Sequence, residues 1–247
     1  MPFPSNPNAA ATVPAGIAIE NVCLQRGDSR VFDGLSLRLS EPRIGLIGDN
    51  GSGKTSLFRL ICGLDGPQAG LVTLVGGNKP GRVGMLFQNP DDQIIFPTVQ
   101  EELALGLQPQ GWSRREAAAR ARTFLAERGL SAWATRAIST LSQGQRQHVC
   151  WLALLIASPD ILLLDEPFAS LDLPGQTLLH ADMARVSQQV IVSTHVLSHV
   201  RDFARVIWLD HGRVRGDGPG REVCAAYEAD VSVRAAAGQS AGVAVHA

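Results

Sequence analysis

The chain has 247 residues and a mass of 26.3 kDa, room for one large α/β domain or a core carrying a small insertion. Hydrophobic residues make up 45% and the formal net charge is -1, so a sizeable core is expected and no general basic field draws the chain to nucleic acid. The longest apolar run, Val149 to Ala157, is too short to span a bilayer, and no signal peptide is expected.

Met1 to Gly16 is rich in Pro, Asn and Ala without periodicity and reads as a disordered tail. Ile17 to Leu24 and Val31 to Leu39 read as strands separated by a turn at Gly27-Asp28-Ser29. Cys23, Cys62, Cys150 and Cys224 lack metal-ligand spacing and read as small core residues of a reducing compartment. Arg43 to Ile47 is a short strand, and Ser56 to Cys62 a helix. Between them Gly48, Asp49, Asn50, Gly51, Ser52, Gly53, Lys54 and Thr55 fit G-x-x-x-x-G-K-[ST]. Glycines at 48, 51 and 53 allow successive N–H groups to converge on phosphate oxygens, and the helix N-terminus at Ser56 adds its unpaired donors. Lys54 would reach the β- and γ-phosphates and Thr55 would offer its hydroxyl to Mg²⁺. The only other lysine is Lys79, so an ammonium at position 54 looks like a chemical requirement in a chain that otherwise uses Arg.

Gly70 to Val75 and Arg82 to Phe87 are further strands, with a turn at Gly76-Gly77. After Gln88 comes a polar loop, Asn89 to Gln93, and the apolar cluster Ile94-Ile95-Phe96-Pro97. Thr98-Val99-Gln100-Glu101 matches a capping box, opening a helix to about Leu107. Ser113 to Arg128 is a helix whose Arg114, Arg115, Arg120 and Arg122 read as a solvated face mixed with Glu116 in preference to a basic patch. Gln145 to Ala157 is another. Ile161 to Leu164 is an apolar strand ending in Asp165-Glu166-Pro167, a helix spans about Gly175 to Arg185, and Val190 to Val192 leads to Ser193-Thr194-His195. Val206 to Leu209 and Gly212 to Arg215 pair across Asp210-His211-Gly212, and a short helix near Arg221 to Tyr227 precedes an Ala/Gly tail. Strands alternating with helices around a P-loop imply an α/β fold with a mostly parallel sheet and a ligand at the strands' carboxyl ends.

Asp165 at a strand end is placed to hold the Mg²⁺ water shell opposite Thr55, and Glu166 to polarise the attacking water. The same carboxylates could instead cap the next helix. With Leu141-Ser142-Gln143-Gly144-Gln145, the chain resembles the ATP-binding subunits of ABC transporters over about residues 17–227. The motifs carrying the likeness are the P-loop, Gln88, the signature at 141–145, Asp165-Glu166, Ser170-Leu171-Asp172 and His195, in that order. The resemblance implies an ABC ATPase core: a mostly parallel sheet, an antiparallel β subdomain and an inserted α-helical subdomain. It divides the chain into a tail at 1–16, core at 17–88, helical subdomain with the signature at 89–158, core at 159–227 and flexible tail at 228–247.

The same likeness implies roles. Gln88 would sense Mg²⁺ and water. Ser142, Gly144 and Gln145 would grip the γ-phosphate on the P-loop of a second ATPase subunit, a copy of this chain or a paralogue, and Asp172 would lie at that dimer contact. His195 would contact the γ-phosphate and order the site around Glu166. Two departures are Gln143, where the family usually has Gly, and Arg26, which stands where an aromatic residue usually stacks on adenine and could stack in its place. ATP and Mg²⁺ are the implied cofactors.

Phe87 to Val99 resembles the energy-coupling-factor branch, the bacterial vitamin and transition-metal importers. There this stretch forms part of a groove for a transmembrane coupling subunit that accompanies a small substrate-binding membrane subunit. Ile94, Ile95 and Phe96 would supply apolar contact with Asp91 and Asp92 at the rim, or the apolar three would simply pack beneath the helical subdomain. A core ending near Tyr227 is similar to the compact ATPases of dedicated biotin importers, with cobalt or nickel importers next. The expected place is the cytoplasmic face of the cell membrane, peripheral, with no nucleic-acid partner.

Overall fold

The computed structural model describes residues 16–76 and 79–243, so all of the predicted tail at 1–16 but Gly16, part of the turn at Gly76-Gly77 and the last four residues lie outside the described residues, and Gly16 itself is extended. β1 (Gly16–Arg26) and β2 (Ser29–Leu39) form an antiparallel hairpin. β3 (Arg43–Ile47) leads through the glycine loop into α1 (Lys54–Ile61), and β4 (Ala69–Gly76) returns to pair with β1. β5 (Lys79–Pro80) completes a four-stranded antiparallel sheet ordered β2-β1-β4-β5. β6 (Val83–Leu86) is followed by α2 (Val99–Leu105), α3 (Arg114–Ala126) and α4 (Gln143–Ala157). Then come β7 (Ile161–Asp165), α5 (Leu173–Arg185), β8 (Gln189–Ser193), β9 (Arg205–Asp210), β10 (Arg213–Gly218) and α6 (Gly220–Val243).

The second sheet is ordered β10-β9-β3-β8-β7-β6. All its pairings are parallel except β9 with β10, so the loops after β3, β6, β7 and β8 open on one edge. β7 reads as one apolar run because both its faces are covered. Ile161 and Leu163 join a core with α1 and the antiparallel sheet, where Phe58, Phe32 and Ile19 are almost wholly buried. Leu162 and Leu164 face the other way, toward Leu179 and Met183 of α5 and Val223 and Cys224 of α6. The P-loop helix is thus clamped between two sheets. A third core joins α2, α3 and α4, in which Ala117, Ala121, Phe124 and Leu125 form the inward stripe of α3.

Two local expectations fail. Thr98 does not build a capping box: its hydroxyl donates to the Glu101 carboxylate, which leaves neither group for the backbone. The flexible tail read at 228–247 is helix as far as Val243. Alanine is the best helix former, and Asp230 and Arg234 add an i,i+4 pair on this stretch, so nothing there ends the helix at Tyr227. The four cysteines are unpaired and buried or half-buried, and burial pushes the Cys62 thiol up to about 11 and the Cys150 thiol up to about 12. Among the described residues, no helix is long and apolar enough to cross a membrane.

Candidate nucleotide site

The glycine loop takes its shape from a close approach to β9. Gly48 has φ 143, and a Cβ there would lie 2.1 Å from the Leu209 carbonyl oxygen, so no other residue fits. Gly53 caps α1 at φ 109 with no side chain on the leading N–H groups, which leaves them free for an anion. Ser52, 3% exposed, has a buried Oγ with no hydrogen-bond partner. The Lys54 ammonium, also on a buried residue, donates to the carbonyls of Gly48 at 2.8 Å and Asp49 at 3.0 Å. Burial pushes its pKa down against the opposing fields of Glu166, Asp165 and Asp49. An ammonium held only by carbonyls, a row of free N–H groups and an orphaned hydroxyl make a donor set suited to a polyphosphate.

Across the cavity, Asp165 ends β7. Its Oδ2 accepts from the Thr55 hydroxyl at 2.7 Å, and its Oδ1 accepts from the Ser193 hydroxyl at 2.8 Å. Ser193 faces Asp165 because β8 pairs with β7 in that register. Glu166 has φ 47 and donates its N–H to the Ser193 carbonyl, which turns its side chain back toward the loop. The Glu166 carboxylate lies 2.9 Å from the His195 Nδ1 and also accepts from the His195 N–H at 3.4 Å. Gln88, exposed just past β6, lines the same cavity of about 640 Å³ with the P-loop, Asp165, Glu166 and His195.

Arg26 does not line this cavity. It pairs with Asp65, which also holds Arg59, while Ser29, Arg30 and Val31 line the cavity. Sequence reasoning also missed Ser193 and Tyr227. Ser193 depends on a strand register that no motif announces, and Tyr227 sat at the predicted end of its helix.

Ser142, Gly144, Gln145 and Asp172 are brought together elsewhere, around a separate cavity that shares no residue with the first. Ser142 and Gln145 form a reciprocal capping box at the start of α4, with distances of 3.2 and 3.1 Å. Asp172 caps α5 through the Gly175 N–H at 3.0 Å. The Trp151 indole N–H donates to Asp182 at 3.1 Å and ties the helical subdomain to the core. Gln143 is exposed and lines the same cavity.

The profile of the ABC transporter family matches residues 32–169, more than half the chain. The chain belongs to the ABC transporter family. Like its family, it is an ATP-binding subunit and an ATPase whose hydrolysis drives transport. It is 46% identical over 229 residues to the biotin transport ATP-binding protein BioM of Rhodobacter capsulatus, covering 90% of this chain and 98% of that one. Identity to BioM of Rhizobium etli is 37% over 217 residues, covering 85% and 97%. Among solved structures, the chain superposes with a TM-score of 0.70 on cbiO1 of Clostridium perfringens, part of the ABC transporter complex cbiONQ. That pair is 25% identical, and the match covers 90% of this chain and 94% of that one.

Proposed function

We propose that this chain is one of two ATPase subunits that energise an energy-coupling-factor importer of biotin. The observation that carries the solute is the 46% identity to a biotin transport ATP-binding protein across nearly the whole of both chains. The cbiO1 likeness supports the same type of importer at much lower identity.

The site residues would act as follows. The P-loop from Gly48 to Ser56 cradles the polyphosphate, and Lys54 exchanges its two carbonyl partners for phosphate oxygens. Thr55 and Asp165, already in contact, would hold Mg²⁺ with Gln88 nearby. Bound there, the cation would neutralise charge on the phosphates. Glu166 takes the proton of the attacking water, and His195 fixes the carboxylate through its Nδ1 while its own exposed face remains free for the γ-phosphate.

Since Ser142, Gly144, Gln145 and Asp172 surround their own cavity, a complete site needs a second subunit placed head to tail, a copy of this chain or a paralogue. ATP then bridges the P-loop of one to the signature of the other, and its hydrolysis releases the closed pair. The segment after Gln88 would receive the transmembrane coupling subunit. Ile95 is 72% exposed there, with Ile94 and Phe96 half-buried beside it, and Asp92 is exposed at the rim while Asp91 is engaged by Arg146 at 3.2 Å. A small membrane subunit would bind the solute, and the ATPase would sit peripherally on the cytoplasmic face.

The test is capture of the tagged protein from native membranes in mild detergent, with mass spectrometry of what accompanies it. A transmembrane coupling subunit with a small hydrophobic subunit that binds biotin is expected. A pair of large permeases would overturn the importer type, and ribosomal partners alone would overturn transport.

A further inference from the structure

We propose that the C-terminal helix is part of the nucleotide site, with Tyr227 and Arg234 as positioning residues that hold the P-loop through Asp49. The proposal rests on the reading of that loop as the ATP site.

Tyr227 and Arg234 stand two turns apart on α6 and so share one face. Each takes one oxygen of the same carboxylate: the Tyr227 hydroxyl donates to Asp49 Oδ1 at 2.6 Å, and Arg234 Nη1 donates to Oδ2 at 2.6 Å. The carbonyl of Asp49 in turn accepts from Lys54 Nζ at 3.0 Å and from the Ser52 N–H at 3.1 Å. One P-loop residue therefore joins the far helix to the ammonium expected to meet phosphate.

The Arg234–Asp49 pair is half-exposed, but both donors are held by further contacts. The Tyr227 ring stands edge-on to Trp208 of β9 at 5.3 Å. Arg234 Nε donates to Asp230 at 2.7 Å, Asp230 also binds Arg215, and Arg215 lies over Trp208 at 4.5 Å and pairs with Asp210 at 3.1 Å. Both donors are thus anchored to the β9–β10 hairpin that already touches the loop, since Gly212 donates its N–H to the Ser52 carbonyl at 3.0 Å.

The arrangement answers an electrostatic problem. A carboxylate on a loop that binds a polyphosphate repels its ligand, and Arg234 with Tyr227 holds the Asp49 carboxyl well below the usual carboxylate range, so it stays ionised. Arg234 supplies the compensating charge, and Tyr227 fixes where the carboxylate points. Removing the guanidinium leaves the bare anion beside the phosphates and frees Asp49 to move.

The test uses the full-length chain with Mg²⁺ and ATP. It compares Arg234→Gln, Arg234→Lys and Tyr227→Phe in the wild-type and Asp49→Asn backgrounds. Binding is read by displacement of a fluorescent ATP analogue, and KM and kcat by phosphate release. Arg234→Gln is expected to raise Kd and KM for ATP roughly three- to tenfold, the scale of one partly screened unit charge together with the lost bond that holds Asp49 in place, with kcat little changed. Tyr227→Phe should raise Kd less, and Arg234→Lys should recover most of the loss. In the Asp49→Asn background, Arg234→Gln should raise Kd clearly less, because only the lost charge remains and no carboxylate is left to be misplaced. An equal loss in both backgrounds, or no loss in the wild-type background, overturns the proposal while the ATP site stands. A wild-type chain that binds no ATP overturns the site itself and this proposal with it.

Discussion

Glu102 offers a stability test aimed at the segment proposed to meet the membrane subunit. Its side chain is 4% exposed on α2, and one oxygen accepts from the N–H groups of both Ile95, at 2.9 Å, and Phe96, at 2.8 Å. Those two bonds hold the turn that presents Ile95 to solvent. Hydrogen bonds to a charged group contribute about 1.5–3 kcal/mol each. The turn is only half-buried, so water would partly replace the lost acceptor in Glu102→Ala, and the lower figure applies to each bond. The total is about 3 kcal/mol. For a protein of this size, 1 kcal/mol shifts the thermal midpoint by about 2–4 °C, so a fall of roughly 6–12 °C is expected. Glu102→Gln keeps an acceptor of the same shape and loses only the charge, about 1 kcal/mol or roughly 2–4 °C. Calorimetry on the purified full-length chain reads both. A Glu102→Ala midpoint within 2 °C of wild type would refute the role given to these two bonds.

Lys54→Ala should abolish ATP hydrolysis, and a normal rate of phosphate release would defeat the role assigned to the P-loop ammonium. Glu166→Gln should lower turnover by about 10²–10⁴ and accumulate an ATP-bound dimer on gel filtration, whereas a wild-type rate would mean that another group acts as base. Burial pushes the His148 imidazole below its ordinary value, although Asp182 opposes this, and burial acts the same way on His180 and His199. An unfolded histidine takes up a proton near pH ~6.5, so the unfolded chain binds more protons as pH falls. The stability from keeping these rings neutral is therefore full above about pH 6.5 and is lost as pH drops through the lowered values. The urea midpoint should decline between pH 7.5 and 5.5 on this account, and His148→Gln should make the decline shallower. An unchanged slope in that variant would exclude His148 as a contributor.

The parts of the site that lie within one turn or one strand end were legible in the sequence. Gly48 to Thr55 carries its geometry in its glycines, and Asp165-Glu166 announces itself by closing an apolar strand. Groups assembled by pairing of distant segments were not. Ser193 meets Asp165 only because β8 lies beside β7, and Asp49 meets Arg234 only because α6 continues past the point where an Ala/Gly composition suggested a tail. Arg26 shows the converse case. Its position along the chain matched an expectation, but an acidic residue beyond α1, Asp65, claims the guanidinium. The Thr98 capping box failed for a similar local reason, since a hydroxyl facing its own carboxylate prefers it to the backbone.

The seat of β3 in the middle of its sheet bears on how the chain leaves the ribosome. β3 pairs with β8 on one side and β9 on the other, both near the end of the core, while β1, β2 and β4 find their partners close by. Local pairings close quickly and distant ones slowly. At synthesis rates of about 5–20 residues per second, the antiparallel sheet can form well before the neighbours of β3 emerge. Through that interval the strand that launches the P-loop has no hydrogen-bonded flank. A nascent chain stalled after α4 should therefore protect the amides of β1 and β2 from exchange while those of Ile44 to Ile47 remain open, and nucleotide binding should arrive last.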